Sequence, residues 1–206
     1  MTAEQNDLKW DKLLNIRTTG RDDSRADQYR YPYEPTPYSV LERLAVSGYI
    51  TKKNKLVDYG CGKGRVGFYL SYQTRCRSVG IAYDERIFQD AESNRERSVS
   101  GRRTEFECRN GESYQPPADA DRFYFFNPFS VELFRKVLGR IRSSYYENPR
   151  EILLFFYYPS DEYVAFLMTG ELTFLDEIDC RALFSGDDER ERILIFKMDD
   201  QEVGQQ

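Results

Sequence analysis

Between Lys55 and Arg65 the chain reads Lys-Leu-Val-Asp-Tyr-Gly-Cys-Gly-Lys-Gly-Arg: an apolar run, an acidic residue, then glycines at alternate positions. Few folds accept such a stretch. Glycine is needed where the backbone turns through conformations that a Cβ resists, and where a ligand lies against bare main chain. The run before the turn fits a buried strand, and Val66, Tyr69 and Leu70 share one face of a helix predicted over Lys63 to Tyr72. Strand, glycine turn and helix together form the ligand-binding unit of parallel α/β sheets. Arg65 stands where a dinucleotide fingerprint has its third glycine, and no Gly-Lys-Ser/Thr ending follows the turn. Both facts argue against a nicotinamide or flavin protein and against a P-loop.

Strand-like and helix-like runs alternate through the rest of the chain. Ser78–Tyr83, Thr104–Cys108, Arg122–Phe126 and Glu151–Tyr158 read as strands, the last apolar throughout as befits a central strand covered on both faces. Glu85–Arg97 and Asp161–Met168 read as helices. Val131, Phe134, Val137, Leu138 and Ile141 give the clearest helical face of all. Leu172–Phe184 and Arg192–Met198 are then two strands joined by a turn at Ser185-Gly186-Asp187-Asp188. This order predicts an α/β fold with a mostly parallel, seven-stranded sheet closed by an antiparallel C-terminal hairpin. A single domain is expected over residues 1–206. Helices and a lid-like segment occupy 1–48, the core 49–198 and a frayed tail 199–206. The first helix is expected over Asp7–Asn15. Pro32, Pro35 and Pro37 exclude regular structure from Tyr31 to Tyr38, and Val40, Leu41, Leu44 and Ala45 then mark a second helix.

Composition narrows the chemistry. There is no histidine among the 206 residues, which removes Ser-His-Asp and Cys-His catalysis and most transition-metal sites. Cys61, Cys76, Cys108 and Cys180 are scattered, without the spacing of a zinc cluster or a disulfide framework. No metal site is expected. A net charge of −5 lacks the basic excess of a strong nucleic-acid binder, and the basic run Arg95 to Arg103 reads as the solvated end of a helix. No apolar run is long enough to span a bilayer, and the polar N-terminus lacks a signal-peptide pattern, so a cytoplasmic protein with no membrane partner is expected.

The strand, acidic residue and Gly-x-Gly-x-Gly form of Leu56 to Gly64 resembles the first motif of the class I S-adenosylmethionine-dependent methyltransferases, and Lys55 to Met198 is compatible with that family's order of elements. The resemblance implies a Rossmann-like three-layer α/β/α sandwich with S-adenosyl-L-methionine as cofactor. It implies that Asp58, Gly60, Cys61 and Gly62 line the methionine moiety. Lys63 and Arg65 are expected to point outward, with either able to reach the cofactor carboxylate. In the family an acidic residue ends the second strand and holds the ribose hydroxyls. Here that position is Ala82, followed by Tyr83 and Asp84, so either Asp84 takes the role, or backbone and water do, or the cofactor binds weakly. Asn110 and Gly111 after the third strand correspond to the adenine end, with a plain turn as the other reading.

Phe125-Phe126-Asn127-Pro128-Phe129-Ser130 is similar to the motif with which nitrogen methyltransferases orient a target NH₂, although its second proline is missing. That likeness makes Asn127, Pro128 and Phe129 the catalytic candidates, with Asn127 also beside the cofactor. Tyr33, Glu34 and Thr36 of the lid-like segment are candidate site residues, Tyr33 and Thr36 for the substrate, and Tyr158, with Tyr157 and Pro159, could wall the acceptor pocket or simply pack. The expected activity is methylation of a nitrogen on a protein side chain or small molecule. A non-catalytic cofactor-binding or partner-binding module is the alternative, as is an RNA methyltransferase docking through Arg95 to Arg103.

Overall fold

A computed structural model describes residues 3–20 and 34–199. Its seven strands are β1 (Lys55–Tyr59), β2 (Arg77–Ala82), β3 (Thr104–Cys108), β4 (Arg122–Phe125), β5 (Ile152–Tyr157), β6 (Thr173–Asp179) and β7 (Arg192–Met198). They form one sheet in the order β3-β2-β1-β4-β5-β7-β6. β1 to β5 are mutually parallel, whereas β7 runs antiparallel between β5 and β6. The order reverses between β1 and β4, and the crevice beyond the carboxyl ends of these strands is where open α/β sheets bind ligands.

The period-2 pattern of the central strands divides the core in two. Val57, Tyr59, Phe123, Phe125, Leu154 and Phe156 face one side, under α5 (Val131–Glu147) and α6 (Asp161–Leu167). Leu56, Tyr124, Leu153 and Phe155 face the other, under α2 (Tyr38–Val46) and α3 (Arg65–Thr74). α1 (Ala3–Leu14) and α4 (Glu85–Arg97) lie on that second side too, where Asn94 of α4 donates to the carbonyls of Arg17 and Lys63. Aromatic rings fill the first layer, with Phe125 and Phe156 stacked at 5.0 Å and Phe134 edge-on to Phe125 at 5.2 Å. Burial of each such ring contributes on the order of 1.5–3 kcal/mol.

The three layers and the closing hairpin are those expected; most element ends shift by one or two residues, and two boundaries differ by more. The first helix begins at Ala3, earlier than the apolar pattern shows, because its first turn is polar. The strand expected over Leu172–Phe184 stops at Asp179. There the Asp179 carboxylate accepts the Arg181 amide and guanidinium, turning the chain into a short 3₁₀ segment over Arg181–Leu183. The connection to β7 is accordingly a wide loop rather than a tight turn at Ser185–Asp188. Among the described residues no helix is long and apolar enough to cross a membrane.

Candidate functional site

The glycine turn is built from its backbone outward. Gly60 and Cys61 both donate their amides to the Ile81 carbonyl, at 2.9 and 3.1 Å, which ties the turn to β2. Gly60, Gly62 and Gly64 all have positive φ, at 76°, 53° and 88°. A Cβ on Gly60 would lie 2.5 Å from Pro128 Cβ, so this glycine is what lets the loop after β4 close against the turn. Cys61 is buried, and its thiol contacts the Gly62 carbonyl at 3.6 Å.

Asp58, near the end of β1, is buried, and one carboxylate oxygen, Oδ2, has no hydrogen-bond partner among the described residues. Burial pushes its carboxyl up to about 7. Its neighbour across the strand pair is Tyr124, whose hydroxyl lies 3.1 Å from that of Thr36. Thr36 is itself buried, so the segment before α2 sits over the ends of β1 and β4. A buried carboxylate with a vacant oxygen is poised for a cation, because an unpaired buried charge is otherwise costly.

Lys63 points outward as expected and pairs with Asp90. Arg65 does not. It is only 2% exposed, and its guanidinium turns inward beneath the Tyr38 ring, donating to Asp7, Thr18 and the Thr36 carbonyl. The reason lies in distant chain: α1 and the segment before α2 supply a carboxylate, a hydroxyl and a carbonyl that satisfy a buried cation.

Beside the turn an open cleft of about 400 Å³ runs along the carboxyl ends of β1, β2 and β3. Tyr59, Gly60 and Ile81 line it together with Pro128, Phe129 and Leu133. Tyr83 and Arg109 stand at its mouth, and Tyr83 is 56% exposed. Gly111 lies on its floor, where a Cβ would come within 3.3 Å of both Phe129 and Tyr59. Asn110 lines the cleft while capping the short turn Gly111–Ser113, and its amide donates to Glu112 at 2.8 Å. Apolar walls with a few polar groups are the mixture that small-molecule sites present.

Ala82 is buried at the end of β2, and its carbonyl accepts the Arg109 amide at 2.9 Å. Asp84 caps α4, with one oxygen on the Arg86 amide and the other on the Arg86 guanidinium. Its carboxylate is therefore committed to the helix end, a service typical of Asp at that position.

At the carboxyl end of β4, Asn127 has φ 39°, and beyond β5 Tyr158 has φ 50°. Positive φ is costly for residues other than glycine, and such strain gathers at functional sites. The Asn127 amide nitrogen donates to the Tyr158 carbonyl at 2.6 Å, which fixes the orientation of the amide. Among the described residues its oxygen has only a 3.4 Å contact, from the Ser160 amide. Phe129 is buried and its carbonyl accepts the Tyr163 hydroxyl. Tyr158 donates to Asp188 with Arg190 stacked over its ring, and Tyr157 donates to Glu191. Tyr33 lies outside the described residues.

The structure thus gathers Asp58, the glycines, Thr36 and Asn127 around the ends of β1 and β4, with Tyr83, Asn110 and Gly111 along the cleft. Tyr59, Ile81, Arg109, Glu112 and Leu133 also line that cleft, and the sequence did not single them out. Each comes from a different strand end, turn or helix start, so only the fold unites them.

No family model and no curated protein matches the chain. Solved structures do. An RNA methyltransferase from Salinibacter ruber, in complex with S-adenosyl-L-homocysteine, is 17% identical with a TM-score of 0.56, over 84% of this chain and 98% of that one. A TehB-like SAM-dependent methyltransferase from Corynebacterium glutamicum is 16% identical with a TM-score of 0.55, over 94% and 96%. The magnesium protoporphyrin IX methyltransferase of Synechocystis, with bound SAM, is 16% identical with a TM-score of 0.57, over 79% and 77%. These likenesses show that the chain has the class I methyltransferase fold.

Proposed function

We propose that the protein is an S-adenosyl-L-methionine-dependent methyltransferase acting on a nitrogen of a protein side chain or small molecule. The observation that carries the cofactor assignment is the vacant, buried Oδ2 of Asp58 beside the glycine turn. It fits the ammonium of the cofactor's amino-acid end, while the neighbouring cleft fits its nucleoside. S-adenosylmethionine bound there supplies an electrophilic methyl group together with its own leaving group.

The chain's own task is then alignment. Pro128, Phe129 and Leu133 wall the nucleoside cleft and exclude water from one side. The Asn127 oxygen keeps a lone pair to accept a hydrogen bond from an acceptor N–H, because its one contact among the described residues is long. With its amide nitrogen fixed on the Tyr158 carbonyl, that oxygen cannot rotate away, so the acceptor's lone pair is held in line. Asp188, paired with Arg190, and Glu191 flank the tyrosines beyond β5, and the chain's net charge of −5 disfavours a polyanionic acceptor.

The testing experiment is calorimetric titration with S-adenosylmethionine, S-adenosylhomocysteine and, as control, NADH. Micromolar binding of the first two alone supports the assignment and leads to an acceptor screen with a labelled methyl group. Absence of binding overturns it. Cofactor bound without turnover on any acceptor pool would instead identify a binding module.

The end of β2 offers a second check. Ala82→Glu is expected to tighten cofactor binding by about tenfold, the worth of one charged hydrogen bond to the ribose. Unchanged or weaker binding would show that this strand end does not serve the ribose.

A further inference from the structure

We infer that the face formed by α1, α3 and residues 98–103 after α4 docks an acidic partner protein, one that presents apolar side chains flanked by carboxylates. Direct contacts make these three segments one surface. The Trp10 ring of α1 stands edge-on to Tyr72 of α3 at 6.3 Å. The Val99 amide donates to the Leu14 carbonyl at 3.2 Å, and the Asn15 side-chain amide donates to the Arg97 carbonyl at 2.8 Å. Ser100 and Arg103 donate to the carbonyls of Phe68 and Ser71, at 2.8 and 3.2 Å. Leu13, Tyr72 and Val99 stay between 36% and 57% exposed on this surface.

The rim around them is cationic. Lys9, Lys12, Arg75, Arg97 and Arg102 are exposed, and among the described residues none of them forms an ion pair. Nearby carboxylates do not neutralise them. Asp11 is buried and taken up by Thr18 and Tyr38, Glu42 accepts the Trp10 indole, and Glu92 pairs with Arg95. Glu96 and, at the far end of α1, Glu4 are left exposed against the five cations. Elsewhere on this chain of net charge −5 most arginines are matched to carboxylates, as Arg65, Arg77, Arg122 and Arg142 are. Exposed apolar groups ringed by unmatched cations complement a surface that is apolar at its centre and acidic at its rim. A nucleic acid would engage the cations and leave Leu13 and Val99 without a partner. A lipid surface favours tryptophan turned outward, whereas Trp10 packs inward on Tyr69 at 4.9 Å.

The probe is a fluorescein-labelled amphipathic helical peptide, leucine on one face and glutamate on the other, titrated against the intact protein by fluorescence anisotropy. It is expected to bind. Leu13→Ser combined with Val99→Ser should weaken it by about tenfold, the worth of two half-exposed aliphatic side chains. Lys12→Glu combined with Arg102→Glu should weaken it as much and flatten its salt dependence. Both double variants are expected to keep the wild-type Tm and S-adenosylmethionine affinity, since all four side chains are exposed and lie off the cleft. A peptide that does not bind overturns the proposal, as does binding that ignores the serine substitutions or that survives exchange of the peptide's glutamates for lysines. Tighter binding of single-stranded RNA or of phosphatidylserine vesicles than of the peptide would also overturn it, and would reassign the face to a polyanion or a membrane.

Discussion

Asp58→Asn is expected to weaken S-adenosylmethionine binding by about 100-fold while making the ligand-free protein more stable at pH 8. The first effect is the loss of a buried ion pair with the ligand ammonium, worth roughly 3 kcal/mol where hydrogen bonds to charged groups are concerned. The second follows from the same burial. The folded carboxyl titrates near 7, above the value of 3.8 for an unburied one. The folded state therefore holds this proton more tightly than the unfolded state does, and stability falls as pH rises between these values. The penalty is absent below about pH 4 and complete above about pH 7, where it amounts to on the order of 4 kcal/mol. Asparagine carries no charge to bury, so its advantage should vanish in acid and reach a few kcal/mol at pH 8.

Cofactor affinity of the wild type should correspondingly fall as pH drops below about 7, since the ligand ammonium needs the ionised carboxyl, and Asp58→Asn should abolish that slope. Thermal melts at pH 4.5 and pH 8, paired with calorimetry across the same range, read both effects. An asparagine variant no more stable at pH 8, or binding as tightly as wild type, would remove Asp58 from the site.

How far the sequence revealed this arrangement depends on whether the signal was local. The strand, glycine turn and helix at Leu56–Arg65 are consecutive, and the helical face of Val131 to Ile141 is periodic, so both were legible at once. The role of Asp84 was legible in principle, since Asp before a helix is a preferred cap. The burial of Arg65 was not legible. A charged residue reads as solvated unless its partners are known, and here they come from Asp7, Thr18 and Thr36, up to 58 positions away. The end of β6 was missed for a different reason: Phe174 and Leu175 are exposed on an edge strand, so apolarity gave no reliable boundary there.

Asn127 presents a harder separation, because its side chain and its backbone each have a claim to importance. At φ 39° it occupies a conformation that asparagine tolerates better than most residues, and its amide ties β4 to the chain beyond β5. Asn127→Ala would confound the two, adding backbone strain of about 1–2 kcal/mol to the loss of the amide. Asn127→Gly separates them, since glycine accepts positive φ freely but presents nothing to an acceptor. The glycine variant is expected to bind S-adenosylmethionine within about threefold of wild type while kcat falls by about 10²-fold, the cost of losing the group that aligns the reacting lone pair. KM for the acceptor should rise less than kcat falls, because the hydrogen bond matters most when the nitrogen is held in line. The rates are to be measured on the acceptor that the labelled-methyl screen returns. Asn127→Asp adds a second constraint: it keeps an acceptor oxygen but turns a carboxylate toward the Tyr158 carbonyl, so it should rescue little. A glycine variant that turns over at the wild-type rate would show that position 127 requires only its left-handed backbone, and the acceptor would have to be aligned by the tyrosines beyond β5 instead.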